Sequence, residues 1–366
     1  MPSADATNCP YEWDQLSGNR LEQAIGSLSP ANLEATLTSM RKATLLYNAR
    51  SGGQRNLRED DLQGALNILH EAGVEATLIR TQSSADAAEQ ARQAIVAGSE
   101  TVFACGGDGT VHDVLQGLVG SRTALGVIPM GTANALAHDL RIPEDPASAV
   151  RAALEGELRR VAVGQVTVRG FDSKVCTRYF TVAVGVGVDA HLFYKLNAGV
   201  KQRFGMAAYY LTAWHLWFTH RMGRFRVDWV SSEAKTRHGA TQVLAVRIGN
   251  FGGVLRGLAP GASLYREDLR LVVCHTDSRL TYLNYVARSF LRGRWAVPGV
   301  SLHNSKAVTC DYEPFTPSTG SKVYVEADGE LIGSLPAKIE IVPDALTLVI
   351  PKSLSRGYPH APNWRR

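Results

Sequence analysis

Cysteine is scarce and dispersed in this chain: Cys9, Cys105, Cys176, Cys274 and Cys310 are the only five, and no C-x-x-C pair occurs. That argues against a disulfide framework or a zinc site and suits a reducing cytosol. A long apolar run is also missing. The most apolar helical stretch, Met206 to Phe218, is about 13 residues and contains His215, whereas a spanning helix needs roughly 20. The N-terminus carries Asp5 and Glu12 and no apolar core of a signal peptide. These absences predict a cytoplasmic protein, soluble or peripheral to a membrane.

Acid is missing in two places. No acidic residue stands between Asp189 and Asp228, where Lys195, Lys201, Arg203, Arg221, Arg224 and Arg226 accumulate. None stands between Asp277 and Asp311, where Arg279, Arg288, Arg292, Arg294 and Lys306 do. These stretches hold +11 against a net +5, so the remainder is acidic. The first also carries Phe193, Tyr194, Phe204, Tyr209, Tyr210, Trp214, Trp217, Phe218 and Phe225. Cations interleaved with rings suit a surface of anionic lipid headgroups, although a solvated helix face reads the same way. No helix-turn-helix, zinc or RNP-type signature accompanies the charge, so nucleic acid is not the expected partner.

The chain is 45% apolar and 20% charged, a globular composition long enough for two domains. Residues 1–40 read as an acidic extension with a helix start at Ser29-Pro30. Over 41–160, short apolar strands alternate with helical patterns. Strands are expected at Ala43–Asn48, Val74–Arg80, Thr101–Cys105 and Leu125–Pro129. Helices are expected at Leu57–His70, Ala85–Ala97, Val111–Leu118 and Thr132–Leu140. That alternation predicts βαβ units and a parallel sheet. Over 161–352 strands follow one another, with helical patterns only near Lys201–Met222 and Thr281–Arg292, which predicts an antiparallel sandwich or barrel. Residues 353–366 form a tail, and the last strand is open to rejoining the first domain.

Small and hydroxyl-bearing residues recur after every strand of the first domain. The segments are Asn48-Ala49-Arg50-Ser51-Gly52-Gly53, Thr81, Gly106-Gly107-Asp108-Gly109-Thr110, and Met130-Gly131-Thr132-Ala133-Asn134. Ligands of parallel sheets gather at the carboxyl ends of the strands. A glycine-rich strand-to-helix turn there opens backbone N–H groups toward an anion, aided by the helix dipole. The expected ligand is a nucleotide. Neither G-x-x-x-x-G-K-[ST] nor G-x-G-x-x-G is present, so P-loop and dinucleotide fingerprints are absent. Asp108 cannot bind an anion and is expected to handle a metal ion or a proton.

These segments, together with Gly185–Asp189 (G-x-G-x-D), Gly249–Gly253 (G-N-x-G-G) and Ala327–Glu330 (A-D-G-E), resemble the catalytic domain of the diacylglycerol kinase family. That family includes bacterial lipid kinases, sphingosine kinases and ceramide kinases. The resemblance implies two domains: an α/β domain with a parallel sheet, similar to phosphofructokinases and NAD kinases, then a mostly antiparallel β-sandwich. It implies ATP-dependent phosphorylation of a lipid hydroxyl with Mg2+. It carries Asn48, Ser51, Gly52, Thr81, Gly106, Gly107, Asp108, Gly109, Thr110, Gly131, Thr132 and Asn134 to the ATP site. Asp328 is implied as general base, Glu330 as its assistant at the nucleotide, and Asp108 as a group near the transferring phosphoryl. Asp189 lies where sphingosine kinases hold the lipid head. Asp328-Gly329 also reads as a plain hairpin turn, and Asp189 as a helix cap.

The sequence departs from the family in three places. Ala49 replaces a usual proline, and His112-Asp113 replaces a usual Asn-Glu. A histidine at that place also occurs in sphingosine kinases and hints at a sphingoid-type lipid. Arg266-Glu267 replaces an Asp-Gly whose aspartate helps hold a structural magnesium in many bacterial relatives. Arginine cannot ligate a cation, so that metal is expected to be absent or displaced. Two other readings stay open: a soluble kinase of NAD or a sugar phosphate, and a catalytically silent nucleotide-dependent membrane-binding protein. A homodimer is also left open.

Overall fold

The computed structural model describes residues 40–48, 55–187, 223–230, 235–251, 258–278, 280–281, 284–285, 288, 297–312 and 322–352. The first part alternates β1 (Lys42–Asn48), α1 (Arg55–Glu71), β2 (Glu75–Thr81), α2 (Ser84–Val96), β3 (Thr101–Gly106), α3 (Asp108–Leu118) and β4 (Ala124–Pro129). Two short helices follow, α4 (Ala135–Asp139) and α5 (Pro146–Leu154). Every residue of β3 and β4 is buried, as parallel strands covered on both faces require. The pairing runs β4-β3-β1-β2, all parallel. β1 therefore has β3 on one side and β2 on the other. The chain reverses direction of winding at the β1/β3 boundary, and a crevice opens there at the carboxyl ends.

The helix expected over Thr132–Leu140 is confined to Ala135–Asp139, because Asn134 adopts a left-handed φ of 47° and keeps Gly131–Ala133 as a loop. α5 was not expected. Its start has a sequence signal, Asp145-Pro146, with the Asp145 side chain accepting from Ser148 N–H and proline in the first turn.

The second part is a run of strands: β5 (Glu157–Arg169), β6 (Val175–Phe180), β7 (Ala183–Gly187), β8 (Phe225–Val230), β9 (Lys235–Ala240), β10 (Gln242–Val246), β11 (Leu269–Cys274), β12 (Val300–Ser305), β13 (Ala307–Tyr312), β14 (Tyr324–Ala327) and β15 (Glu330–Ile350). The expected helix over Lys201–Met222 lies outside the described residues, and of Thr281–Arg292 the described positions are helical. The β5–β15, β7–β14, β7–β10 and β10–β11 pairs are all antiparallel. Their inner faces enclose a separate core built around Val166, Phe180, Phe225, Trp229, Leu271 and Ile339.

β15 ties the two parts together. It leaves the β14 hairpin, runs antiparallel along β5, and at Thr347 and Leu348 lies parallel to β4. A second core mixes Leu46, Val114, Leu115 and Leu136 of the first part with Val246, Ile248, Leu264 and Val272 of the second. Gln116 of α3 adds a polar staple: its Oε1 accepts from Tyr179 N–H at 2.9 Å and its Nε2 donates to the Tyr179 carbonyl at 2.8 Å.

Candidate active site

Strand register brings the predicted loops to one edge. Asn48 lies beside Thr81, and Gly106 beside Pro129. α3 begins at Asp108 with Gly107 as its N-cap and no side-chain cap, so the N-terminal amides are left to a ligand. The two glycine loops touch. A Cβ on Gly131 would stand 2.4 Å from the Gly107 Cα, and one on Gly107 would stand 3.2 Å from the Gly131 Cα, so an added side chain would push the loops apart, most of all at Gly131. Asp108 joins the same loops, with its Oδ1 accepting from Ala135 N–H at 2.7 Å. Its carboxylate caps α4, a structural duty that the motif alone does not reveal.

Most polar side chains here shape the loops. The Thr81 hydroxyl donates to the Tyr47 carbonyl at 3.2 Å and is buried. Thr110 is buried and folds against Gly106. Asn134 Oδ1 accepts from Gly131 N–H at 2.9 Å, and its Nδ2 donates to the Gly131 carbonyl. Gly131 and Thr132 face solvent, and Asn48 is half-buried. The loops thus present mainly backbone at this edge. Ser51, Gly52 and Asp189 lie outside the described residues.

Asp328 arrives from the second part. It begins the β14–β15 turn, with φ of 48° at Asp328 and 87° at Gly329, the signs of a type I′ turn. The turn reading holds, and the side chain points into the fold. Asp328 Oδ1 accepts from Val182 N–H (2.9 Å) and Ala183 N–H (3.0 Å), and Oδ2 from Thr181 N–H (3.0 Å). A carboxylate has about four acceptor positions; three are filled, and the fourth is on Oδ2. His112 Nδ1 stands 3.5 Å from that oxygen, both side chains are 3% exposed, and Nδ1 has no hydrogen-bond partner.

Other carboxylates crowd the same edge. A Cβ on Gly109 would lie 2.9 Å from Glu330 Oε1, so the Glu330 side chain packs closely on the loop. Burial raises the Asp108 carboxyl, and the Asp328 charge raises it further, against the Ala135 hydrogen bond. Burial of its carboxyl raises Glu330, with His112 opposing, although the residue as a whole is exposed. Asp113, which sequence reasoning noted only as a departure, belongs to this cluster. Burial pushes it up to about 6, His112 lowers it and Glu330 raises it. Burial is the main cause of the rise at all three carboxyls.

The acid-free stretches look different in three dimensions. Arg224 makes a forked pair with Asp277, and Arg226 pairs with Asp311 and approaches Asp228. β8 lies against β13, which supplies acid that a count along the chain leaves out. Lys195, Lys201, Arg203 and Arg221 lie outside the described residues. No described helix is long and apolar enough to cross a membrane.

A parallel sheet with an anion seat at its carboxyl edge, joined to a β domain that hands a carboxylate across, defines a two-domain phosphotransferase architecture. Residues 42–166 match the family model described as diacylglycerol kinase catalytic domain, and residues 182–350 match YegS C-terminal NAD kinase beta sandwich-like domain. The chain thus carries a diacylglycerol kinase catalytic domain followed by a YegS-type C-terminal domain. It is 27% identical over 316 residues to a diacylglycerol kinase of Bacillus subtilis (strain 168), covering 86% of this chain and 97% of that one. It is 27% identical over 300 residues to a diacylglycerol kinase of Staphylococcus aureus (strain MRSA252), covering 81% and 88%. The crystal structure of a diacylglycerol kinase from Bacillus anthracis str. Sterne superimposes with a TM-score of 0.60 at 17% identity, over 86% of this chain and 99% of that one. That likeness is one of fold.

Proposed function

We propose that this chain is an ATP-dependent lipid kinase that transfers the γ-phosphate of Mg-ATP to the hydroxyl of a diacylglycerol-type lipid. The observation that carries this reading is Asp328, fixed by three backbone N–H groups and 3.5 Å from His112 of α3, the helix whose N-terminus has no side-chain cap. The names of the similar bacterial proteins favour diacylglycerol over the sphingoid reading of His112.

In this mechanism the amides of Gly107–Thr110, with Thr132 of the neighbouring loop, hold the ATP phosphates. The lipid hydroxyl donates to the remaining acceptor position of Asp328 Oδ2. Its oxygen attacks the γ-phosphorus, its proton passes to Asp328, and the bond from phosphorus to the ADP oxygen breaks. Phosphoryl transfer is largely a matter of position and charge, so a firmly held carboxylate that aims the hydroxyl meets the need. His112 walls the same oxygen and fixes where the hydroxyl can enter. Asp108 and Glu330 are the residues suited to hold the Mg2+ of the nucleotide, which would neutralise phosphate charge. Peripheral docking on an anionic bilayer, in the cytoplasm, completes the proposal.

The test is transfer from ATP to a lipid panel, with products resolved by mass spectrometry. A phosphorylated diacylglycerol is the expected product. Phosphorylation of NAD or a sugar phosphate with no lipid product would replace this reading, and ATP binding with no product would favour a silent sensor.

A further inference from the structure

The loop carrying Arg266 and Glu267 is where a structural magnesium would sit by family resemblance. The residues present do not fit one. Arg247, at the end of β10, is fully buried. One terminal nitrogen donates to the carbonyls of Arg266 (2.8 Å) and Asp268 (2.7 Å), the other to Leu264 and Ala162 (both 2.9 Å). Alternate carbonyls of the loop, at 264, 266 and 268, thus converge on a single guanidinium. Both oxygens of the Asp268 carboxylate are held by the fork of Arg266, at 2.6 and 2.5 Å. No group of three or more His, Cys, Asp or Glu suited to a metal occurs among the described residues. Mg2+ requires about six oxygen ligands at close range, and here the carbonyls of Leu264, Arg266 and Asp268 and both oxygens of the Asp268 carboxylate are already bound.

We propose that Arg247 is the resident cation of the Leu264–Asp268 loop, holding through four carbonyls a turn that needs no metal ion. Burial lowers the Arg247 pKa to about 10, with Asp268 opposing, so the group is charged at neutral pH. The position carries a consequence for the cleft. Arg247 N–H donates to the Val182 carbonyl, and Val182 N–H is one of the three that hold Asp328. Two residues on, Gly249 and Asn250 donate to Asp139 of the first domain at 3.0 and 2.9 Å. Arg247 is therefore a positioning residue between the loop, the Asp328 cradle and the interdomain clamp.

Hydrogen exchange on the full chain tests this. Amides around 262–268 in the wild type are expected to exchange at the same rate in EDTA and in millimolar Mg2+. In Arg247→Met their exchange accelerates by about a hundredfold or more, since hydrogen bonds from a charged donor are lost. Arg247→Lys recovers part of the protection, because it keeps the charge and loses the fork. Protection that depends on Mg2+ in the wild type would overturn the proposal, as would unchanged protection in Arg247→Met. The wild-type comparison decides the matter even if Arg247→Met does not fold.

Discussion

At the Gly106–Thr110 edge, the working parts are backbone amides brought close by glycine, and the partners lie within a few loops of one sheet. At the Asp328 hairpin, a single carboxylate is held by amides about 145 residues away in sequence. The first region is built from local turn chemistry and tolerates little added volume. The second is built from long-range hydrogen bonds and tolerates little change of charge or donor pattern. A phosphate seat needs only N–H groups in place, whereas a group that aims a hydroxyl must be fixed in orientation as well.

Replacing Asp328 with asparagine acts on the second region hardest. An amide presents N–H where an acceptor is needed, so phosphate transfer to lipid is expected to fall by about 10³-fold or more while ATP binding persists. Turnover retained in radiolabel assays would remove Asp328 from the mechanism. Gly131→Ala attacks the first region. Its Cβ would overlap Gly107, and a shift of about 1 Å is expected to cost about 10²-fold in kcat/KM for ATP without unfolding the protein. If calorimetric ATP affinity and kinetics are both unchanged, the glycine contact has no bearing on the seat.

His112→Asn restores the residue usual in the family beside Asp328. We expect about a tenfold loss in kcat with the KM for ATP unaltered, since the change lies on the hydroxyl side. An effect confined to ATP KM would place His112 with the first region. The smallest effect is on stability. Burial raises the Asp139 carboxyl from 3.8 to about 6. A raised carboxyl favours the folded state at low pH, and that benefit is lost as pH rises from about 4 through about 6. Asp139→Asn keeps an acceptor for Gly249 and Asn250 and removes this titration. Its stability relative to the wild type should rise across that window by no more than about 3 kcal/mol. Urea unfolding at several pH values measures it, and a flat difference would break the link.

Much of the first region was readable from the chain. The apolar runs before each glycine cluster are β1, β3 and β4, and the clusters lie at their carboxyl ends. The A-D-G-E segment was readable too, as a turn and, by resemblance, as a carboxylate source. Asp113 and Arg247 were not, because nothing in their neighbours along the chain distinguishes them from surface charge. The basic stretches misled in part, since Asp277 and Asp311 meet Arg224 and Arg226 only across paired strands.

The sequence by itself determined the alternating pattern, the turn glycines and the helix start that make an anion seat, because those depend on residues a few positions apart. The tertiary structure alone decided the one acceptor position left open on Asp328, the alignment of Leu264, Arg266 and Asp268 carbonyls on Arg247, and the Asp108 cap on α4. Each of these is a hydrogen bond between groups far apart in the chain, and its geometry exists only once the sheets have closed.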